Sequence, residues 1–251
     1  MIKRHPLLAF LAMAYLGSWI GWSPWWLSQS GVGLLPYELS LPAIAGVNQL
    51  GLLAGPFAAA IVVTRVVEGP SGWRRLLRWR AHPGWYVLAL AVIPFAVAVG
   101  YTVQIGAAAA VTYVVYLIGG PVQEEPGWRG VALPLLQRRL HPLAAASVLG
   151  VIHCFWHAPL FLTREWDTAR SDAGQLVAYL VLTVALSIVL AWLVNGSRGS
   201  MAVAVLGHNG VNWALFLAGT TVTNTWPAAL GLAALAVVAV AVTRGRLGVP
   251  Q

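Results

Sequence analysis

Charge is scarce in this 251-residue chain: Asp, Glu, Lys and Arg make up 9% of it, and only seven residues are acidic. A water-soluble domain carries roughly 25% charged residues, so a soluble fold is excluded. The mean hydropathy of +0.76 points to lipid as the solvent. Cysteine is nearly missing: Cys154 stands alone, which rules out an intramolecular disulfide and leaves the thiol as a small packed core group. No small-residue cleavage site follows the first apolar run, so that run reads as a retained span rather than a removed signal peptide. His-Glu-x-x-His is absent, and Ser147, Ser187 and Ser200 lack a Gly-x-Ser-x-Gly context, which argues against a nucleophile-elbow hydrolase. No linker is long enough to divide the chain, which reads as one domain over 1–251.

What is abundant is apolar sequence. A helix needs about 20 such residues to cross a bilayer, and runs of that kind lie near 7–27, 43–64, 85–105, 109–134, 142–163, 174–194, 200–219 and 226–243. They predict an all-α, polytopic bundle of about eight spans. The net charge of +8 has no aromatic-rich or glycine-rich soluble module around it, which speaks against a nucleic-acid partner, and membrane topology accounts for it instead. Lys3, Arg4, Arg65, Arg74, Arg75, Arg78, Arg80, Arg138, Arg139, Arg198, Arg244 and Arg246 fall on one side of such a bundle. Arg164 and Arg170 fall on the other, among Glu165, Asp167 and Asp172. The positive-inside rule then puts both termini in the cytoplasm.

The Arg- and Trp-containing segment 73–85 suits a cytoplasmic loop, or else a helix lying at the inner headgroup boundary. Trp19, Trp22, Trp25 and Trp26 suit an interfacial belt at the outer end of the first span, the alternative being a substrate entrance. Gly46, Gly51 and Gly55 would let the second span pack closely.

An ionisable residue in the middle of a span costs roughly 2.5 to 3.5 kcal/mol on insertion scales and is a functional candidate by default. Three places hold them. In the fourth run, Glu124 and Glu125 precede Arg129; helical spacing pairs Glu125 with Arg129 and turns Glu124 about 100° away, without a cation beside it. An unpaired buried carboxylate is a better general base than a surface one. In the fifth run His153 and His157 are four apart, with Cys154 off their face, and in the seventh His208 and Asn212 are four apart. The last pair could donate to a developing oxyanion or could simply bond between helices.

Taken together, Glu124-Glu125-x-x-x-Arg129, then Phe155-Trp156-His157-x-Pro159-Leu160-Phe161, then His208-x-x-x-Asn212 resemble the CPBP intramembrane proteases, the CAAX prenyl endopeptidase and bacteriocin-processing (Abi) family. The resemblance covers residues 124–212, within a motif core of about 109–219. It implies a glutamate-dependent intramembrane endopeptidase of the cell (inner) membrane, with Glu124 and His157 activating water. It further implies that His208 and Asn212 stabilise the oxyanion while Glu125 and Arg129 support the helix. Position 153 departs from the family pattern, which has an aromatic ring there; His153 would either tune His157 or add a ligand. The implied substrates are membrane-associated or lipidated peptides, and no cofactor is required. One alternative is zinc held by Glu124, His157 and His208. Another is a noncatalytic transporter or immunity protein using the same polar residues.

Overall fold

A computed structural model describes residues 2–166, 172–220 and 224–249; Asp167 and Arg170, which the charge pattern assigns to one side, lie outside them. The described residues are helical, with no strand among them. The helices are α1 (Pro6–Gly21), α2 (Leu41–Glu68), α3 (Pro83–Ala98), α4 (Ala109–Ile118), α5 (121–137), α6 (Pro142–Trp156), α7 (Ala173–Gly196), α8 (Met201–Leu217) and α9 (Trp226–Thr243).

Proline starts most of them. Pro6, Pro42, Pro83, Pro121, Pro142 and Pro227 each sit in a first helical turn, where the missing N–H costs nothing and the fixed φ suits the helix. α7 begins instead on Asp172, whose carboxylate accepts from the Gly174 N–H at 2.8 Å.

Three helices, α2, α7 and α9, are long and apolar enough to cross a membrane by themselves, and α1, α3, α6 and α8 are apolar but shorter. The sixteen residues of α1 reach about 24 Å at 1.5 Å per residue. Large apolar side chains such as Leu8, Ile20, Phe95, Val115, Leu230 and Val237 face outward. A bundle that dresses its exterior this way is an integral membrane protein.

The fourth run differs from the continuous span expected over 109–134. It breaks at Gly119 and Gly120, and Pro121 starts α5 afresh. Pro126 and a widened turn over Trp128–Ala132 bend α5 further. The break is held from outside: Asn48 Nδ2 donates to the Gly119 carbonyl and Gln49 Nε2 to that of Ile118, both at 3.2 Å.

α2 bends as well, at Gly55 and Pro56, and lies tightly on α1. A Cβ at Gly51 would strike the Trp22 indole and one at Gly55 the Ser18 hydroxyl, whereas Gly46 has open space beside it. Close packing therefore uses two of the three glycines singled out. Trp22 and Trp25 are buried core residues rather than belt residues, because the notch at Gly51 admits the Trp22 ring. The segment 73–85 is helical only over Gly72–Leu77 before α3 begins at Pro83. Within it Arg75 pairs with Glu68 at 2.6 Å and donates to the Gly130 carbonyl.

α7 packs between α6 and α9, and α8 lies among α3, α4 and α5. At one end, Arg78 donates to the Arg198 carbonyl at 2.7 Å and Ser200 to that of Trp79 at 3.0 Å. At the other, Arg164 meets Glu38 at 3.0 Å and Trp25 Nε1 donates to Glu165 at 2.9 Å.

Candidate active site

α5, α6 and α8 bring six ionisable side chains together inside the apolar bundle. Glu124, Glu125, Arg129, His153, His157 and His208 are all buried. The expected ion pair between Glu125 and Arg129 is present, Nη1 to Oε1 at 3.2 Å with both side chains fully enclosed.

Glu124 differs from expectation, because it has a partner. Nε2 of His153 stands 2.9 Å from its Oε2. An ionised carboxylate only accepts, so His153 donates from Nε2. α5 and α6 cross at this point, a contact that spacing along one helix cannot reveal.

His157 closes α6 as its C-terminal cap. Its Nδ1 lies 3.0 Å from the His153 carbonyl, which only accepts, so Nδ1 carries the proton and Nε2 keeps its lone pair. The ring is sandwiched between the Trp22 and Trp166 indoles, with centroids 6.4 and 5.0 Å away and planes within 15° and 23°. The Tyr179 hydroxyl approaches Nδ1 at 3.3 Å. Trp22, Trp166 and Tyr179 carry no motif signal in the sequence; only their placement on α1, beyond α6 and on α7 brings them to the imidazole.

His208 also has a partner that the sequence does not announce. Its Nδ1 lies 2.6 Å from Oε1 of Glu125, the oxygen that Arg129 also contacts. Asn212 is half buried one turn further along α8. A methyl group on Gly120 would sit 3.1 Å from Oε1 of Glu124 and 3.7 Å from Nδ2 of Asn212. The helix break at Gly120 thus leaves one shared space bordered by the free carboxylate oxygen and the amide.

Cys154 packs with Leu182, Leu186 and Tyr179 in an apolar cluster. Ser147 and Ser200 bond to backbone carbonyls, so neither offers a nucleophile to this centre.

The set able to hold a metal is Glu124, His153 and His157, whose ligating atoms all lie within 4.8 Å of one another. His208, the third ligand expected from sequence, lies outside that grouping, with its Nδ1 bonded to Oε1 of Glu125. One carboxylate and two imidazoles are donors that zinc accepts, and the His157 bond to the His153 carbonyl would orient that ligand.

Residues 104–214 match the family model described as type II CAAX prenyl endopeptidase Rce1-like. CAAX prenyl protease 2 of Methanococcus maripaludis is 25% identical over 92 residues, which cover 36% of this chain and 34% of that protein. The chain therefore matches about a third of that relative's length. Glu124, Glu125, Arg129, His153, His157, His208 and Asn212 all fall inside the stretch that is similar to the type II CAAX prenyl endopeptidase Rce1-like family.

Proposed function

We propose that this chain is an intramembrane endopeptidase that hydrolyses a peptide bond of a membrane-associated or lipidated peptide, with Glu124 as the general base. The observation that carries the reading is the buried grouping of Glu124 with His153 and His157 within 4.8 Å. Two hydrogen bonds of about 2.8 Å reach across such a separation, and in this reading one water bridges Glu124 and His157.

In the proposed step, the water oxygen bonds to the scissile carbonyl carbon and its proton passes to Glu124. The carbonyl π pair moves to oxygen, where Asn212 Nδ2 and His208 Nε2–H donate to it. His208 has that second donor when its ring is protonated against Glu125. Collapse breaks the C–N bond, and the proton held by Glu124 goes to the leaving amine. Arg129 balances the Glu125 carboxylate so that the centre can stay buried. No covalent intermediate is needed.

In this reading all eight apolar runs lie in the membrane as one domain, some of them as short or broken helices. The arginine-bearing end that joins Arg78 to Arg198 faces the cytoplasm with both termini. The host membrane is the cell (inner) membrane.

A second reading is favoured by the same grouping. Glu124, His153 and His157 would hold zinc, which when bound supplies a Lewis acid and lowers the pKa of its water. Glu125 and Arg129 would keep their supporting pair, and Asn212 its place beside the oxyanion.

Purified protein in proteoliposomes, given a panel of prenylated and plain peptides and read by mass spectrometry, tests both readings. Cleavage that survives dialysis against a strong zinc chelator supports the glutamate mechanism, and cleavage lost to chelator and restored by zinc supports the metal. A panel left intact throughout contradicts the peptidase reading and favours a noncatalytic role.

A further inference from the structure

His153 is the position at which this chain departs from the pattern of the family it resembles, and it is also where Glu124 is held. Its ring is buried, with centroids 5.1 Å from that of Trp128, 5.1 Å from that of His157 and 5.7 Å from that of Trp156. Stacking against these rings does not by itself require an imidazole. What the imidazole adds is a donor: Nε2 at 2.9 Å from Oε2 of Glu124. Its Nδ1 has no hydrogen-bonding partner, which suits the neutral ring with the proton on Nε2. A bare nitrogen acceptor is cheaper to bury than an unpaired N–H.

The two oxygens of Glu124 consequently face different surroundings. Oε2 meets His153. Oε1 lies toward Gly120, on the side where Asn212 presents Nδ2. A carboxylate torsion is broad and roughly two-fold when nothing fixes it, so an unanchored Glu124 would exchange its oxygens and spread over orientations.

We infer that His153 is a positioning residue that anchors Glu124 through Oε2 and so assigns Oε1, beside Gly120 and Asn212, as the oxygen that takes the proton from the attacking water. The inference rests on the reading of Glu124 as general base and adds to it which oxygen reacts and what holds the other. His153 keeps its own proton throughout; the only proton that moves in the attack goes from water to Oε1.

The test uses the full chain in proteoliposomes with a peptide the wild type cleaves, and three variants: His153→Phe, His153→Gln and Glu124→Gln. His153→Phe should lower the kcat of the folded protein about 10- to 100-fold, as misplacing a reacting group does, with KM close to wild type. His153→Gln, whose amide nitrogen can reach the same oxygen, should recover part of the loss. Wild-type turnover in His153→Phe beside an inactive Glu124→Gln would overturn the inference, and turnover retained by Glu124→Gln would instead overturn the general-base reading. Stoichiometric zinc in the wild type that disappears in His153→Phe would make His153 a ligand and also overturn the positioning role. Independently of turnover, ¹⁵N spectra of histidine-labelled protein should show His153 fixed with its proton on Nε2 and released in Glu124→Ala. An unchanged ring signal there would refute the contact.

Discussion

The two halves of the bundle bury different chemistry. α5, α6 and α8 converge on six ionisable side chains, five of them tied by three contacts between 2.6 and 3.2 Å. α7 and α9 bury Leu182, Leu186, Leu190, Ala229, Leu232 and Ala236 in one apolar cluster, and the Thr183 hydroxyl on α7 donates to carbonyls of its own helix. In lipid the apolar pair gains little from exclusion of water and relies on van der Waals fit. The polar centre is the opposite case. Every charge in it costs free energy to insert, and the proposed chemistry is what that cost would serve.

Four substitutions separate the halves. Arg129→Ala, which leaves Glu125 buried against His208 alone, should cost about 3 to 5 kcal/mol of stability. Thermal unfolding in detergent measures it, and a wild-type midpoint would mean the pair contributes nothing. Asn212→Ala should leave folding intact and reduce turnover about 100-fold, as loss of one oxyanion donor does; turnover within twofold of wild type would remove Asn212 from the mechanism. Leu190→Ala, in the fully buried apolar half, should cost about 2 to 3 kcal/mol by leaving a cavity. The turnover of its folded fraction should be unchanged, and a fall there would show that the two halves are coupled. Glu38→Gln removes a pair whose side chains are about 60% exposed, and should shift stability by less than about 0.5 kcal/mol.

Features confined to one stretch of chain were legible in the sequence. Glu125 and Arg129 pair because four residues bring them onto one helix face, and Cys154 packs in the apolar core as a lone small thiol in an apolar run does. Contacts between helices were not legible. The partner of Glu124 is 29 residues away and that of His208 is 83 away, and no periodicity encodes which helices cross. The burial of Trp22 follows from the missing side chain at Gly51 on another helix, so an aromatic that looks interfacial by position is internal. The break in the fourth run was written as Gly119-Gly120-Pro121, but hydropathy averages over such a signal. Its consequence, the shared space between Glu124 and Asn212, appears only once α8 is beside it.

The most direct test of the reading as a glutamate peptidase is to measure substrate binding and turnover on the same folded sample of Glu124→Gln. The substitution keeps the shape of the side chain and removes its basicity. The account predicts a Kd equal to that of the wild type with turnover lowered by about 1,000-fold, in the middle of the about 10²- to 10⁴-fold that general-base catalysis supplies. Turnover within tenfold of the wild type at equal Kd would contradict it and transfer the base to another group.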